Sequence, residues 1–247
     1  MRLLTWIRHG ALLLYSGRLA ASQSMGRHND WITVFLGVIT FFVIIPGEYS
    51  TSIYVFVLLA LTLGSNLLPS EISNHSFELI FTSRLNLHTS LLFKFFSLFF
   101  YIWTIVAALM LSLIPFYLIL REIINFYGEN GDRTLDQKIV YTVQQYMTQA
   151  WFHSAFAILL ALSLTLLMSS IIPSQIWTIF SSAFILLILS RISDYSNPFF
   201  NAVPSKEVIL PYKWGQLMFF NRMTLLGLAV SFIIISWTNL RKIERYM

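Results

Sequence analysis

The sequence predicts an all-α, polytopic membrane protein with about six transmembrane helices, and three observations carry that expectation. Of the 247 residues, 57% are hydrophobic and only 11% charged, against about a quarter charged in a typical soluble domain. The mean hydropathy is +0.71. Stretches free of Asp, Glu, Lys and Arg recur along the chain at lengths near the roughly 20 residues that one crossing needs. The net charge of +5 is read as basic residues held on the cytoplasmic side of a bilayer rather than as a nucleic-acid footprint. No nucleic-acid partner is expected.

The elements follow in order. Residues 1–30 carry Arg2, Arg8, Arg18 and Arg27 among short apolar runs, which predicts a basic interfacial helix on the inner leaflet. A secretory signal is not expected, because Arg8 and Arg18 interrupt an apolar core that is already too short. Each charge costs about 2.5–3.5 kcal/mol at a helix centre, so charge-free stretches mark the spans. Two of them, residues 31–46 and 51–69, are joined by the turn Pro46-Gly47-Glu48. The third, 95–120, would reach about 39 Å at 1.5 Å per residue and should tilt or protrude. Residues 139–190 hold no such charge over 52 positions, too long for one crossing, and Pro173 divides them into spans at 150–172 and 174–190. The sixth span is 223–240.

Two external segments separate the later spans. In 121–149 the turn Gly128-Glu129-Asn130-Gly131-Asp132 is followed by Thr134-Leu135-Asp136-Gln137, with the spacing of a capping box. Leu135, Ile139, Val143, Tyr146, Met147 and Ala150 then recur at helical intervals, predicting an amphipathic helix that runs into the fourth span. Residues 191–222, with Asn197-Pro198, Pro204 and Pro211 among scattered charges, are expected to be broken structure at the interface.

An even number of crossings puts both termini on one side. With the termini and residues 71–94 inside, the inner face carries a basic excess of five, while the outer face balances seven bases against seven acids. Both termini are therefore predicted to be cytoplasmic, in a cell (plasma or inner) membrane.

The chemistry that the chain lacks narrows its function. Cysteine is absent, which removes disulfides, thiolate metal sites and cysteine nucleophiles. No GxxxxGK[ST] loop, HExxH or GxSxG occurs, so nucleotide hydrolysis and the commonest zinc and serine chemistries are not carried here. No cofactor is expected. The histidines His9, His28, His75, His88 and His153 are scattered, and His153 alone lies near a span, where it reads as an interfacial imidazole. Every Asp and Glu falls at a predicted boundary or in a loop, so no buried carboxylate is available to bind a coupling ion. Asn66, the main polar group inside a span apart from Ser and Thr, reads as a helix–helix hydrogen-bonding residue. Such a chain is either passive or driven by something attached to it.

Attention therefore falls on residues 74–90, between the second and third spans. Phe77, Ile80, Phe81 and Leu85 form one stripe and Glu78, Thr82 and Asn86 another, with Ser76 at the N-cap position and Glu78 in the first turn. Asn74-His75-Ser76 has the form of a glycosylation sequon, accidental at a cytoplasmic site. The string Phe77-Glu78-Leu79-Ile80-Phe81-Thr82-Ser83-Arg84, followed by Lys94 at the mouth of the next span, resembles the Glu-Leu-Leu-Leu-x-Thr-Pro segment that precedes the third span of ABC transporter type 2 permeases. Ser83 stands where that family usually has proline, and Glu71-Ile72-Ser73-Asn74-His75-Ser76 replaces its Arg/Glu-rich lead-in.

The resemblance implies a cytoplasmic coupling helix at 74–90, docked in a cleft of cytoplasmic ATP-binding subunits through Phe77, Glu78, Leu79, Phe81, Thr82 and Arg84. It further implies a permease subunit of an ATP-driven exporter of amphipathic or apolar cargo (peptide, drug or lipid), with the path formed against a second permease copy or a paralogue. The chain itself would not be an enzyme. The alternative is a non-transporting membrane subunit or immunity protein of a larger complex, with which no ATPase would purify.

Overall fold

The computed structural model describes the backbone of residues 49–65, 67–68, 91–108, 111, 133–172, 174–193, 195–199 and 211–246, and side chains within 53–65, 67–68, 91–108, 111, 151–172, 174–193, 195–199 and 216–241. The N-terminal helix expected at 1–30, the span at 31–46 and the coupling helix at 74–90 lie outside the described residues.

Five helices make up the described structure, which is all-helical: α1 (Tyr49–Gly64), α2 (Leu91–Ala108), α3 (Arg133–Ser169), α4 (Gln175–Ile192) and α5 (Pro211–Tyr246). Four of them, α2 to α5, contain a stretch long and apolar enough to cross a membrane, and α1 contributes a shorter apolar helix over Ile53–Gly64. At about 1.5 Å per residue, the 37 residues of α3 extend about 56 Å. That exceeds a hydrocarbon core of about 30 Å, so α3 projects well beyond any bilayer it crosses. Its early turns are the amphipathic stretch expected at 134–150, and they continue without a break into the apolar part.

α3 is the hub. Its apolar stretch Trp151–Ser169 is 72% buried, against 17% for α4 and 22% for the window in α5. It packs most extensively on α5, then on α1 and α4. Each neighbour turns one helical stripe inward: Ile53, Phe56, Val57, Ala60 and Leu61 from α1, and Leu91, Phe95, Leu98, Ile102 and Val106 from α2. α4 contributes Thr178, Ser182 and Leu186, two of them small, which lets its backbone come close. The outer side of α4 is aromatic and aliphatic, with Ile176, Trp177, Phe180 and Phe184 each 64–67% exposed. A soluble monomer does not present so continuous an apolar face; lipid accommodates it.

The hydroxyl groups fit the same surroundings. Thr104, Thr224, Ser231 and Ser236 donate to the carbonyl four residues back, and Ser163, Thr165, Ser169 and Thr238 to the one three residues back. Where water is absent, a hydroxyl has to find its partner within its own helix.

Contacts between helices fix their directions. Gly64 of α1 lies against Thr165 and Leu162 of α3, and Tyr54 stacks on Phe199 beyond α4, with ring centroids 4.1 Å apart. At the opposite end of α3, Ser170 accepts from Asn239 of α5 at 3.4 Å. Leu91 and Leu92 share an apolar recess with Leu166, Ile233, Trp237 and Leu240. Hence α1, α3 and α5 run one way and α2 and α4 the other. One end of the bundle gathers residues near 54, 103, 151–153, 195–199 and 221; the other gathers 64–68, 91, 165–172 and 237–240.

Two boundaries differ from the sequence expectation. α2 is already helical at Leu91, ahead of residue 95, and α5 begins at Pro211, with its apolar window opening at Gln216 and not at residue 223. Counting charge-free residues stopped at Lys94 and Arg222, yet both lie within apolar helices. A long methylene stem lets the backbone of such a residue lie in an apolar helix while its charge sits some distance away. Pro211 opens a helix where broken structure was expected, because proline at the first helical position lacks only a hydrogen that would be unpaired there anyway.

Candidate functional site

The polar groups that do not serve their own helix concentrate at the 153 end of the bundle. α3 carries Trp151, Phe152 and His153 there, three consecutive residues that fan out in three directions. His153 is fully buried, and its Nε2 donates to the carbonyl of Pro198 at 3.3 Å. A carbonyl only accepts, so Nε2 bears the hydrogen and Nδ1 in the neutral ring holds a lone pair. Nδ1 is buried and meets no partner among the described residues.

The turn that follows α4 is held from both sides. Ser196 Oγ donates to Leu189 O at 2.8 Å, and the backbone N–H of Phe199 donates to Asn197 Oδ1 at 2.9 Å. From α5, the buried Asn221 donates both amide hydrogens, to Tyr195 O at 3.2 Å and to Asn197 O at 3.0 Å. His153 on one side and Asn221 on the other therefore pair three backbone carbonyls of this turn. Arg222, next along α5, places its guanidinium 5.0 Å from the centre of the Phe152 ring and bears electrostatically on His153. Such a cation–π contact gains strength where water is scarce.

On the flank of α3 that faces α2, Trp151 stacks on Trp103, with centroids 4.9 Å apart and planes 5° from parallel. Phe99 stacks on the other side of Trp103 at 6.1 Å. Both indole nitrogens are buried without a partner among the described residues.

This end can bind and position; no catalytic constellation is visible in it. Among the described residues no group of three or more His, Asp or Glu side chains could hold a metal. The sequence reading of His153 as a headgroup-level imidazole missed its role as a clamp, because its partner carbonyl lies 45 residues away. Asn221 and Arg222 were assigned to an irregular external segment and so were missed as site residues. The spacing of Asn221 four residues before Leu225 and eight before Ala229 was the available signal, since it places the amide on the buried stripe of a helix.

The residues expected to contact an ATPase, Phe77, Glu78, Leu79, Phe81, Thr82 and Arg84, lie outside the described residues. Their attachment points do not. The buried Leu67 and Leu68 that precede them come just after the end of α1, where Gly64 meets Leu162 and Thr165 of α3, and Leu91 that follows them lines a recess with Leu166 of α3. The connection thus leaves and rejoins the bundle at one end, opposite to His153.

Comparison with known proteins identifies no relative: no protein-family profile matches the chain, and no curated protein and no solved structure is similar to it.

Proposed function

We propose that the chain is the permease subunit of an ATP-driven exporter, moving an amphipathic or apolar cargo across the cell membrane with work done by separate cytoplasmic ATP-binding subunits. A second copy, or a paralogue, completes the path. The observation that supports this reading is that the described residues flanking 69–90, Leu68 and Leu91, follow and open helices at the same end of the bundle, the end that the distribution of Lys and Arg is expected to put in the cytosol. A lever needs that arrangement: Phe77, Glu78, Leu79, Phe81, Thr82 and Arg84 at a cytosolic surface, joined on either side to helices packed on the hub. Movement of the segment would then pull directly on α1 and α2 and, through α3, on the rest of the bundle. The resemblance of the segment to the coupling helix of type 2 permeases supports the same assignment.

The test is a pair of measurements on one substitution. Glu78→Ala is expected to abolish export, lowering it at least tenfold, while the chain inserts and purifies at wild-type yield. Wild-type export by that variant would contradict the reading. Purification of the wild-type chain from native membranes in mild detergent should bring down a nucleotide-hydrolysing subunit. Its absence favours the non-transporting alternative.

A further inference from the structure

The buried polar atoms without a partner are few, and two of them face each other across one helix seam. Nearly every hydroxyl in the bundle is satisfied within its own helix, whereas Trp103 Nε1 of α2 and Trp151 Nε1 of α3 are buried and bond to nothing among the described residues. An indole nitrogen donates and never accepts, so what is missing at both positions is an acceptor. Buried donors are left open in native proteins chiefly where something else supplies the partner.

We propose that the α2–α3 seam at Trp103 and Trp151 is a binding site for a carbonyl-bearing amphiphile, whose ester or amide oxygens take the two indole N–H groups. Three features define the ligand. The rings stack at 4.9 Å and within 5° of parallel, so their donors come from two helices but serve neighbouring acceptors of one molecule. Trp103 lies well inside the apolar stretch Leu91–Ala108, and Trp151 opens the stretch Trp151–Ser169. Both belong to apolar segments, with Trp151 at the edge of its own, the level at which a bilayer presents acyl carbonyls. The apolar part of such a molecule has a place beside them, along the exposed Phe93, Phe96 and Phe100 of α2. Both tryptophans are half-buried, so each indole keeps an exposed part along which such a molecule can lie. The acceptor chemistry is shared by two sources, a lipid of the bilayer and the cargo itself; the second of these rests on the permease reading, and the binding does not.

The experiment uses the full chain, purified without any ATPase, carrying 15N-labelled indoles in nanodiscs of three compositions: a diacyl phosphatidylcholine, its dialkyl ether analogue without carbonyls, and the ether analogue with an added N-acyl peptide ester. Trp103→Phe and Trp151→Phe assign the two signals, with Trp103→Tyr and Trp151→Tyr in reserve should either fail to insert. The remaining five indole signals report an intact fold. A downfield shift and slowed hydrogen exchange of both signals in the diacyl discs identify lipid as the source. A saturable shift produced only by the acyl peptide identifies cargo. Identical signals in all three compositions overturn the proposal, and they leave the co-purification test of the ATPase untouched.

Discussion

At the scale of single residues, two glycines of similar appearance have opposite value. A Cβ on Gly64 would come within 2.9 Å of Leu162 Cδ2 and closer still to Thr165 Oγ1. Thr165 is fully buried and its hydroxyl is tied to Leu162 O at 2.8 Å, so it has little room to yield. Gly64→Ala should cost about 1–3 kcal/mol, the usual consequence of overpacking a filled core. Gly227 of α5 meets nothing within 4 Å, and Gly227→Ala should leave stability within about 0.5 kcal/mol of wild type. Thermal unfolding of the two variants in the same detergent checks the pair: a lowered midpoint for the first alone is expected. Asn221 makes a second case. Asn221→Ala strips the donors from Tyr195 O and Asn197 O together, at about 1–3 kcal/mol in all, since both bonds are only partly buried. Asn221→Asp should not rescue it, since a carboxylate only accepts. The same unfolding assay, with proteolysis after α4 as a second readout, measures both.

At the scale of elements, the sequence carried more of the fold than of the site. Four of the five helices contain a stretch that hydropathy alone marks, and the break after Ser169 falls where Pro173 interrupts a run too long for one crossing. Helix ends were read less well. Lys94, Arg191 and Arg222 each halted the count of charge-free residues, yet Arg191 lies within the last turn of α4 and the other two within α2 and α5. A charge on a long flexible stem belongs to the helix by its backbone and to the surroundings by its tip, so composition cannot place the boundary. The site was legible only in its ingredients. His153 and Asn197-Pro198 drew notice as separate features, but the bond between them depends on α4 returning the chain along α3, a tertiary fact. Direction of travel is testable at this scale. The chain has no cysteine, so Thr82→Cys and Asn130→Cys introduce unique thiols. In right-side-out vesicles a membrane-impermeant maleimide should label the second and leave the first untouched until the membrane is opened. Labelling of Cys at 82 from outside would invert the topology.

At the scale of the whole molecule, one largely buried helix touches four neighbours, and on the proposed reading it would carry motion between them. α3 touches α1 near Gly64 at one end and holds the turn after α4 through His153 at the other, so on the proposed reading a displacement applied to α1 and α2 would reach the opposite end of the bundle through α3. A lever at 74–90 driven by a separate ATPase is the reading that uses this layout. Its most direct test is photocrosslinking in intact native membranes, with a benzoylphenylalanine side chain in place of Phe81. An adduct with a polypeptide that carries a GxxxxGK[ST] loop, lost when Glu78→Ala is added, is the predicted result. Adducts with lipid alone, or with a protein that binds no nucleotide, would contradict it.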